Sequence, residues 1–211
     1  GEAAPGSTNV PSYARNVSLT TFVQGVGWMK ADGNGFSGTT GQSRRIEAFK
    51  LSVTDDRFKG GVKYQAYTQG TGWNTETGNG AEAGSANSGK RVEAIKLSLT
   101  CELAQHYHIY YRVYVQTYGW LGWAKNGETA GTSGMAKRLE AIQIRLTGEM
   151  AQHYDIYYRV HAQTYGWLGW AKNGEKAGTE GLAKRLEAIQ IVLVEKGGAA
   201  PGSTNKFFIK K

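Results

Sequence analysis

The side chains of this chain that could do chemistry are aromatic and basic. Among 211 residues there are 12 Tyr and 6 Trp, against 4 His and a single Cys. Flat rings flanked by guanidinium and amide groups suit sugar recognition: the C–H faces of a pyranose stack on an aromatic face while nearby polar groups read its hydroxyls. Trp123 and Trp170 lead the candidates for that role. Arg112, Tyr114 and Gln116 precede the first, and Arg159, His161 and Gln163 precede the second. Strand alternation puts Tyr110, Arg112, Tyr114 and Gln116 on one face, and Tyr157, Arg159, His161 and Gln163 on its counterpart.

Other chemistry finds less support. His106 and His108 would share a strand face and could chelate a metal, but Asp155 stands where a second copy would repeat His108. No Cys or acidic ligand set surrounds them, so they read as polar linker residues, and neither a metal nor a cofactor is expected. Glu140 and Glu187 recur in step with a repeat, whereas catalysis needs one asymmetric set of acid, base and positioning groups. Gly131 to Gly134 and Gly178 to Gly181 read as turns; no phosphate loop, nucleophile elbow or metalloprotease helix is present. The expectation is a non-enzyme.

The elements that would carry these residues are repeated. Residues 111–146 return at 158–193, an offset of 47, with only six of 36 positions changed. Those six are Tyr114/His161, Val115/Ala162, Thr129/Lys176, Ser133/Glu180, Met135/Leu182 and Arg145/Val192. Two looser copies lie upstream, so that Trp28, Trp73, Trp120 and Trp167 mark four units. Arg45/Glu47, Arg91/Glu93, Arg138/Glu140 and Arg185/Glu187 recur in step. A fixed period of this kind implies a repeat architecture, and a unit this small must bury its apolar face on its neighbours.

Each unit reads as about three strands. Tyr111, Val113 and Val115 alternate toward a core, as do Leu19, Thr21 and Val23 in the first copy. A second strand is expected from Trp120 to Lys125, closed by Asn126-Gly127, a dipeptide that favours tight hairpin turns. The same pair stands at Asn34-Gly35, Asn79-Gly80 and Asn173-Gly174. In the last strand Glu140, Ile142, Ile144 and Leu146 share the inward face, with Arg138 at its rim, which makes Arg138–Glu140 and Arg185–Glu187 structural clamps. Because Trp28, Trp73, Trp120 and Trp167 occur in every copy, they are expected to be structural core residues. Trp123 and Trp170 have Ala31 and Glu76 as equivalents, and an odd step from Trp120 to Trp123 would turn them to the opposite face, toward a ligand.

The fold class that follows is all-β, with four quasi-symmetric repeats, closed like a propeller or prism so that no long sheet edge is left exposed. Residues 1–12 read as a linker, 13–196 as one domain (repeats 13–57, 58–106, 107–153 and 154–196), and 197–211 as a linker or tail. The run Ala3 to Asn9, AAPGSTN, recurs at Ala199 to Asn205. That suggests an array whose unit is this four-copy block, with Lys206 to Ile209 as an exposed apolar segment of the next linker. Gly1-Glu2-Ala3 reads as the start of a trimmed chain.

The single cysteine, Cys101, excludes an internal disulfide and is compatible with cytosol or secretion alike. A formal charge of +8 suits anionic surroundings, and equally serves solubility. Nucleic acid is a weaker partner: Lys125, Lys137, Lys172 and Lys184 could meet phosphates, yet the basic residues are spread evenly instead of forming a stripe. No apolar run is long enough to span a bilayer, so membrane insertion is not expected.

The run Y-R-V-x-x-Q-x-x-G-W…N-G-x-x-A-G-T-x-G…K-R-L-E-A-I-x-I over Tyr111–Leu146 and Tyr158–Leu193 resembles the clostridial hydrophobic-W, or ChW, repeat. The resemblance extends to Tyr64–Leu99, where Gln65 replaces the Arg, and to Leu19–Val53, where Thr20 does and the loop is one residue shorter. Such repeats occur in secreted and surface proteins of Gram-positive bacteria, beside wall hydrolases, adhesion modules or carbohydrate-active domains. The resemblance therefore implies an extracellular binding module and carries no catalytic residues. The leading expectation is a non-catalytic module that binds polysaccharide or cell-wall glycan. A structural module that engages surface proteins, and electrostatic retention on anionic wall polymers, remain the alternatives.

Overall fold

A computed structural model describes residues 17–31, 36–39, 42, 44–55 and 58–211. The linker expected at 1–12, the copy of AAPGSTN at 3–9 and the turn at Asn34-Gly35 lie outside the described residues. Repeat one contributes strands β1 (Val17–Val23), β2 (Gly27–Lys30), β3 (Phe36–Gly38) and β4 (Ile46–Val53). Repeat two contributes β5 (Val62–Thr68), β6 (Gly72–Trp73), β7 (Thr77–Gly78), β8 (Ala83–Gly84) and β9 (Val92–Leu99). After a short helix α1 (Cys101–His106) come β10 (Tyr107–Val115), β11 (Gly119–Trp120), β12 (Ala124–Lys125), β13 (Ala130–Gly131) and β14 (Leu139–Gly148). Helix α2 (Met150–His153) precedes β15 (Tyr154–Ala162), β16 (Gly166–Trp167), β17 (Ala171–Lys172), β18 (Ala177–Glu180) and β19 (Leu186–Glu195), and β20 (Phe208–Lys210) follows.

Each repeat builds a small antiparallel sheet around a pair of long strands, β1/β4, β5/β9, β10/β14 and β15/β19. The four sheets are arranged like the blades of a four-bladed propeller. What joins them is strand exchange. Each repeat lends its short Gly-containing strand to the sheet of the repeat before it: β8 pairs with β4, β13 with β9, and β18 with β14. Strand β3 of the first repeat pairs with β19 of the last and closes the ring. Every sheet edge of this kind is thus covered by a neighbour, which answers the edge problem of an open sheet.

Glycine is required at these exchange points because the backbones nearly touch. Gly84, Gly131 and Gly178 have φ of +105°, +120° and +128°. A Cβ there would come within 2.5, 2.4 and 2.5 Å of the carbonyl oxygens of Glu47, Glu93 and Glu140. The opposing Ala48, Ala94, Ala141 and Ala188 are fully buried. The Asn-Gly pairs behave as the sequence predicts: Asn79, Asn126 and Asn173, and the Gly after each, all have positive φ. Each Asn side chain also accepts a backbone N–H at the start of the long strand, from Val62, Ile109 and Ile156.

Buried tyrosines rivet one blade to the next. Leu51 N–H donates to Tyr64 Oη at 3.0 Å, and Leu97 N–H to Tyr111 Oη at 2.8 Å. The Tyr111 hydroxyl in turn donates to the carbonyl of Glu128 at 2.6 Å. Tyr158 does the same against Ile144 and Glu175. Burial pushes the Tyr111 phenol up to about 12, despite its backbone bonds, and raises Tyr158 as well. At the fourth seam the equivalent residue is Leu19, so blade one meets blade four without this rivet.

The inward face of the long strands is aliphatic, as alternation predicts, but with one register slip. In all four blades the ladder skips a residue: Tyr114 faces Ala141 while Val115 faces Leu139, leaving Glu140 as the extra residue of a bulge. Glu47, Glu93 and Glu187 occupy the same slip. Leu139, Ile142, Ile144 and Leu146 therefore line the axis, and Glu140 does not join their row as expected. Its carboxylate instead meets Arg138 Nε at 2.9 Å, and Arg185 meets Glu187 at 3.1 Å, so the expected clamps are formed. Burial pushes the Glu140 carboxyl above its ordinary range, against the opposing pull of Arg138.

The segment 197–211 is not an exposed linker. Strand β20 runs parallel to β18 and extends the third blade, and Phe207 and Ile209 pack on the main core. Upstream of it, residues 198–205 lie across blade four.

Candidate functional site

Strand alternation leaves one face of each sheet turned away from the axis, and there each repeat assembles an aromatic–cation group on its edge hairpin. In blade one, Phe22 meets Trp28 edge-on at 5.4 Å and the Lys50 ammonium sits 4.2 Å from the Trp28 centroid. Blade two repeats this with Tyr67, Trp73 and Lys96, at 5.5 and 4.4 Å. In blade three Tyr114 meets Trp120 at 5.7 Å and the cation is Arg112, at 5.2 Å. In blade four His161 meets Trp167 at 5.6 Å and Arg159 lies at 4.8 Å.

The cation changes strand between blades. Lys50 and Lys96 lie on the last long strand, opposite Thr20 and Gln65; Arg112 and Arg159 lie on the first, opposite Gln143 and Gln190. Every cross-strand pair thus holds one cation and one neutral polar residue, and the cation always reaches the tryptophan face. Nε–H of Arg112 donates to Gln143 Oε1 at 2.7 Å, which fixes the plane of its guanidinium. Arg159 is held the same way by Gln190. This exchange was readable in the aligned repeats as a swap of Lys and Gln against Thr or Gln and Arg, yet alternation by itself gives no reason to look across the ladder.

The tryptophan assignments need correction. Trp28 is 38% exposed, and Trp73, Trp120 and Trp167 are half-buried, so the shared tryptophans are not sealed in the core. They stand on an edge hairpin, with the main cores on the opposite, aliphatic face. Trp170, expected to be exposed, is only 2% exposed. The supposed continuous strand from Trp120 to Lys125 is broken between β11 and β12. The break defeats the odd-step argument, and both rings end up beside the same guanidinium: Arg112 lies 5.2 Å from Trp120 and 4.8 Å from Trp123. Arg159 lies 4.8 Å from both Trp167 and Trp170.

Trp123 remains half-buried, with Arg145 at 4.5 Å as a second cation. Its counterpart is covered by the chain itself. The Trp170 backbone N–H donates to the carbonyl of Ser203 at 2.9 Å, and Tyr157, Val192, Val194 and Ala200 pack with the indole. The linker crosses it closely: a Cβ on Gly202 would stand 3.1 Å from Trp170 Nε1, a tight contact. His161 is likewise buried, at 2% exposure, with Nδ1 3.2 Å from Glu187; burial drives its pKa down against the pull of that carboxylate. It therefore serves as a neutral ring against Trp167, not as an exposed polar group. Gln116 and Gln163 sit half-buried at the ends of their strands.

Two carboxylates anchor the surroundings. Glu180 of repeat four accepts Trp120 Nε1–H at 3.0 Å and pairs with Lys176 and Lys210; the indole bond foremost holds its carboxyl down at about 2. Asp155 is buried, and burial alone would raise it. Bonds from Lys172, Lys196, Asn173 and the Gly197 N–H outweigh that and hold it well below the usual carboxylate range. In repeat three its place is taken by His108, bonded to Asn126. His106 stacks on Phe58 at 3.9 Å and meets Glu149. Among the described residues no three His, Cys, Asp or Glu side chains are grouped to hold a metal, and no helix is long and apolar enough to cross a membrane.

Neither a curated protein nor a solved structure matches the chain. A family profile described as Clostridial hydrophobic W, or ChW, matches four times, over residues 22–55, 67–100, 114–148 and 161–195. Each match begins at the aromatic partner of a shared tryptophan (Phe22, Tyr67, Tyr114 or His161) and takes in the bulged Arg–Glu pair. Since the four matches together span more than half of its length, the chain belongs to the clostridial hydrophobic-W family.

Proposed function

We propose that this protein is a non-catalytic extracellular module that binds polysaccharide, such as a cell-wall or host glycan, through the outward tryptophans of its four blades. The observation that carries this reading is the aromatic–cation group itself. It recurs in every blade although the residues that supply the cation change strand, so the arrangement outlasts the particular side chains that build it. A tryptophan braced by an edge-on ring and a stacked cation is rigid, which lowers the entropy lost when a sugar ring settles on it. Four weak sites around one ring also suit a polymer of repeated sugars, where each further contact is intramolecular.

The sugar-binding residues are then Trp28, Trp73, Trp120 and Trp167, with Trp123, Arg112 and Arg159 beside the rings. Trp170 and His161 drop out because they are buried. The test is sedimentation with purified cell-wall polysaccharide, comparing wild type with Trp28→Ala, Trp73→Ala and the double variant. Loss in the double variant greater than in either single one, with little response to salt, is the expected result. A steep loss with salt and none with the Trp changes would replace this reading by electrostatic retention on anionic polymers. Indifference to both would leave a protein-binding or structural module.

A further inference from the structure

Down the axis of the ring runs a cavity of about 260 Å³, bounded by all four blades. Its walls are the inward rows of the last long strands, such as Phe49, Ile95, Ile142 and Ile189. Phe49, Ile95 and Ile189 are only partly buried, because no atom of the described residues fills the space between them. A protein interior is normally packed to crystal density, so a void of this size lined by aliphatic groups is a vacancy that apolar matter would fill favourably.

The cavity has two unlike ends. At one, the guanidiniums of Arg45, Arg91, Arg138 and Arg185 stand at the same register of the four strands, each about 30% exposed. At the other, Val53, Leu99, Leu146 and Leu193 face Val17, Val62, Ile109 and Ile156, with Met150 beside them. Between the ends, among the described residues, two hydroxyls line the wall, and both are already engaged: Thr21 with Ser37, and Tyr111 with Leu97 and Glu128. The described wall between them is aliphatic and offers no open polar group to hold water or orient a polar ligand. From Leu139 to Leu146 the strand runs roughly 23 Å, the scale of an extended long acyl chain.

We propose that this cavity is a binding site for a long-chain fatty acid, its tail along the axis and its carboxylate beside Arg45, Arg91 and Arg138. The acidic partners Glu47, Glu93, Glu140 and Glu187 do not cancel the attraction. They are buried in the bulges at 0 to 2% exposure, whereas the guanidiniums of Arg45, Arg91 and Arg138 stay about 30% exposed. Each carries five N–H donors, more than one carboxylate partner can take, so a ligand carboxylate can be accepted beside them.

Isothermal titration with palmitate, kept below its micelle concentration, tests the idea, with hexadecanol and acetate as comparison ligands. The expected outcome is saturable binding of palmitate by the full chain, weaker binding of the alcohol and none of acetate. Ile95→Trp enlarges a side chain on the cavity wall and narrows the cavity. It should keep the fold by circular dichroism and weaken palmitate roughly tenfold. Arg45→Gln removes the guanidinium farthest from its own carboxylate, at 3.6 Å, and should weaken palmitate while leaving the alcohol unchanged. Absence of saturable palmitate binding by the wild type overturns the proposal. So does unaltered affinity in a folded Ile95→Trp variant, or equal affinity for acid and alcohol.

Discussion

Blades three and four are near copies in sequence and differ in what their outer faces present. Trp123 is half-buried between Arg112 and Arg145, whereas Trp170 is sealed beneath residues 198–205. Two small changes prepare this. Val192 replaces Arg145, which turns a charged flank into an apolar one, and Asp155 replaces His108, which supplies an anchor for Lys196 and the Gly197 N–H. The linker then finds an apolar slot and a fixed starting point. An indole is therefore neither a core residue nor a ligand site by type; its neighbours and the segment that crosses it decide.

That contrast can be broken most severely by removing the cover. Deleting residues 198–211 should expose Trp170 and strip Phe207 and Ile209 from the core, at a cost on the order of 3 kcal/mol after the recovered chain entropy is counted. Urea unfolding would show it, together with a red shift in tryptophan emission. An unshifted spectrum with unchanged stability would mean that the tail does not protect the ring.

Asp155→Asn should have the next largest effect, about 2 kcal/mol, because it weakens several charge-assisted bonds at once while the two lysines can still turn to water. The wild-type contribution depends on pH with a definite sign. The folded carboxyl titrates below its unfolded value of about 3.9, so this stabilisation is complete above that value and is lost as pH falls through the depressed folded one. Wild type and variant should accordingly converge in stability toward strongly acidic pH. Parallel pH profiles would contradict the anchoring role.

The smallest effect is expected from Arg145→Val, which makes blade three resemble blade four. Losing one stacked cation at a partly exposed ring should cost less than about 1 kcal/mol in chemical denaturation. A loss of several times that amount would mark Arg145 as a structural strut instead of a flank of Trp123.

Parts of this architecture are legible in the chain and others are not. The spacing of Trp28, Trp73, Trp120 and Trp167 reveals the four units, the Asn-Gly pairs locate the turns, and Arg138–Glu140 is readable as a pair two residues apart. Alternation also identifies Ile142, Ile144 and Leu146 as the inward row. It fails at Glu140, since a bulge shifts the register by one residue, and at Trp123, since the strand is interrupted after Trp120. The fit of β20 beside β18 leaves little trace in Lys206 to Lys211, because a strand of three residues has too short a pattern to announce its partner.

The sequence by itself determined the repeat, its turns and the apolar inner row, since those follow from local periodicity and backbone preference. Only the tertiary structure decided that each repeat lends a strand to the one before it, that the first closes on the last, and that Trp170 is covered while Trp28 is not. Those outcomes depend on which distant segments meet, and burial is a property of the assembled surface that no residue carries alone.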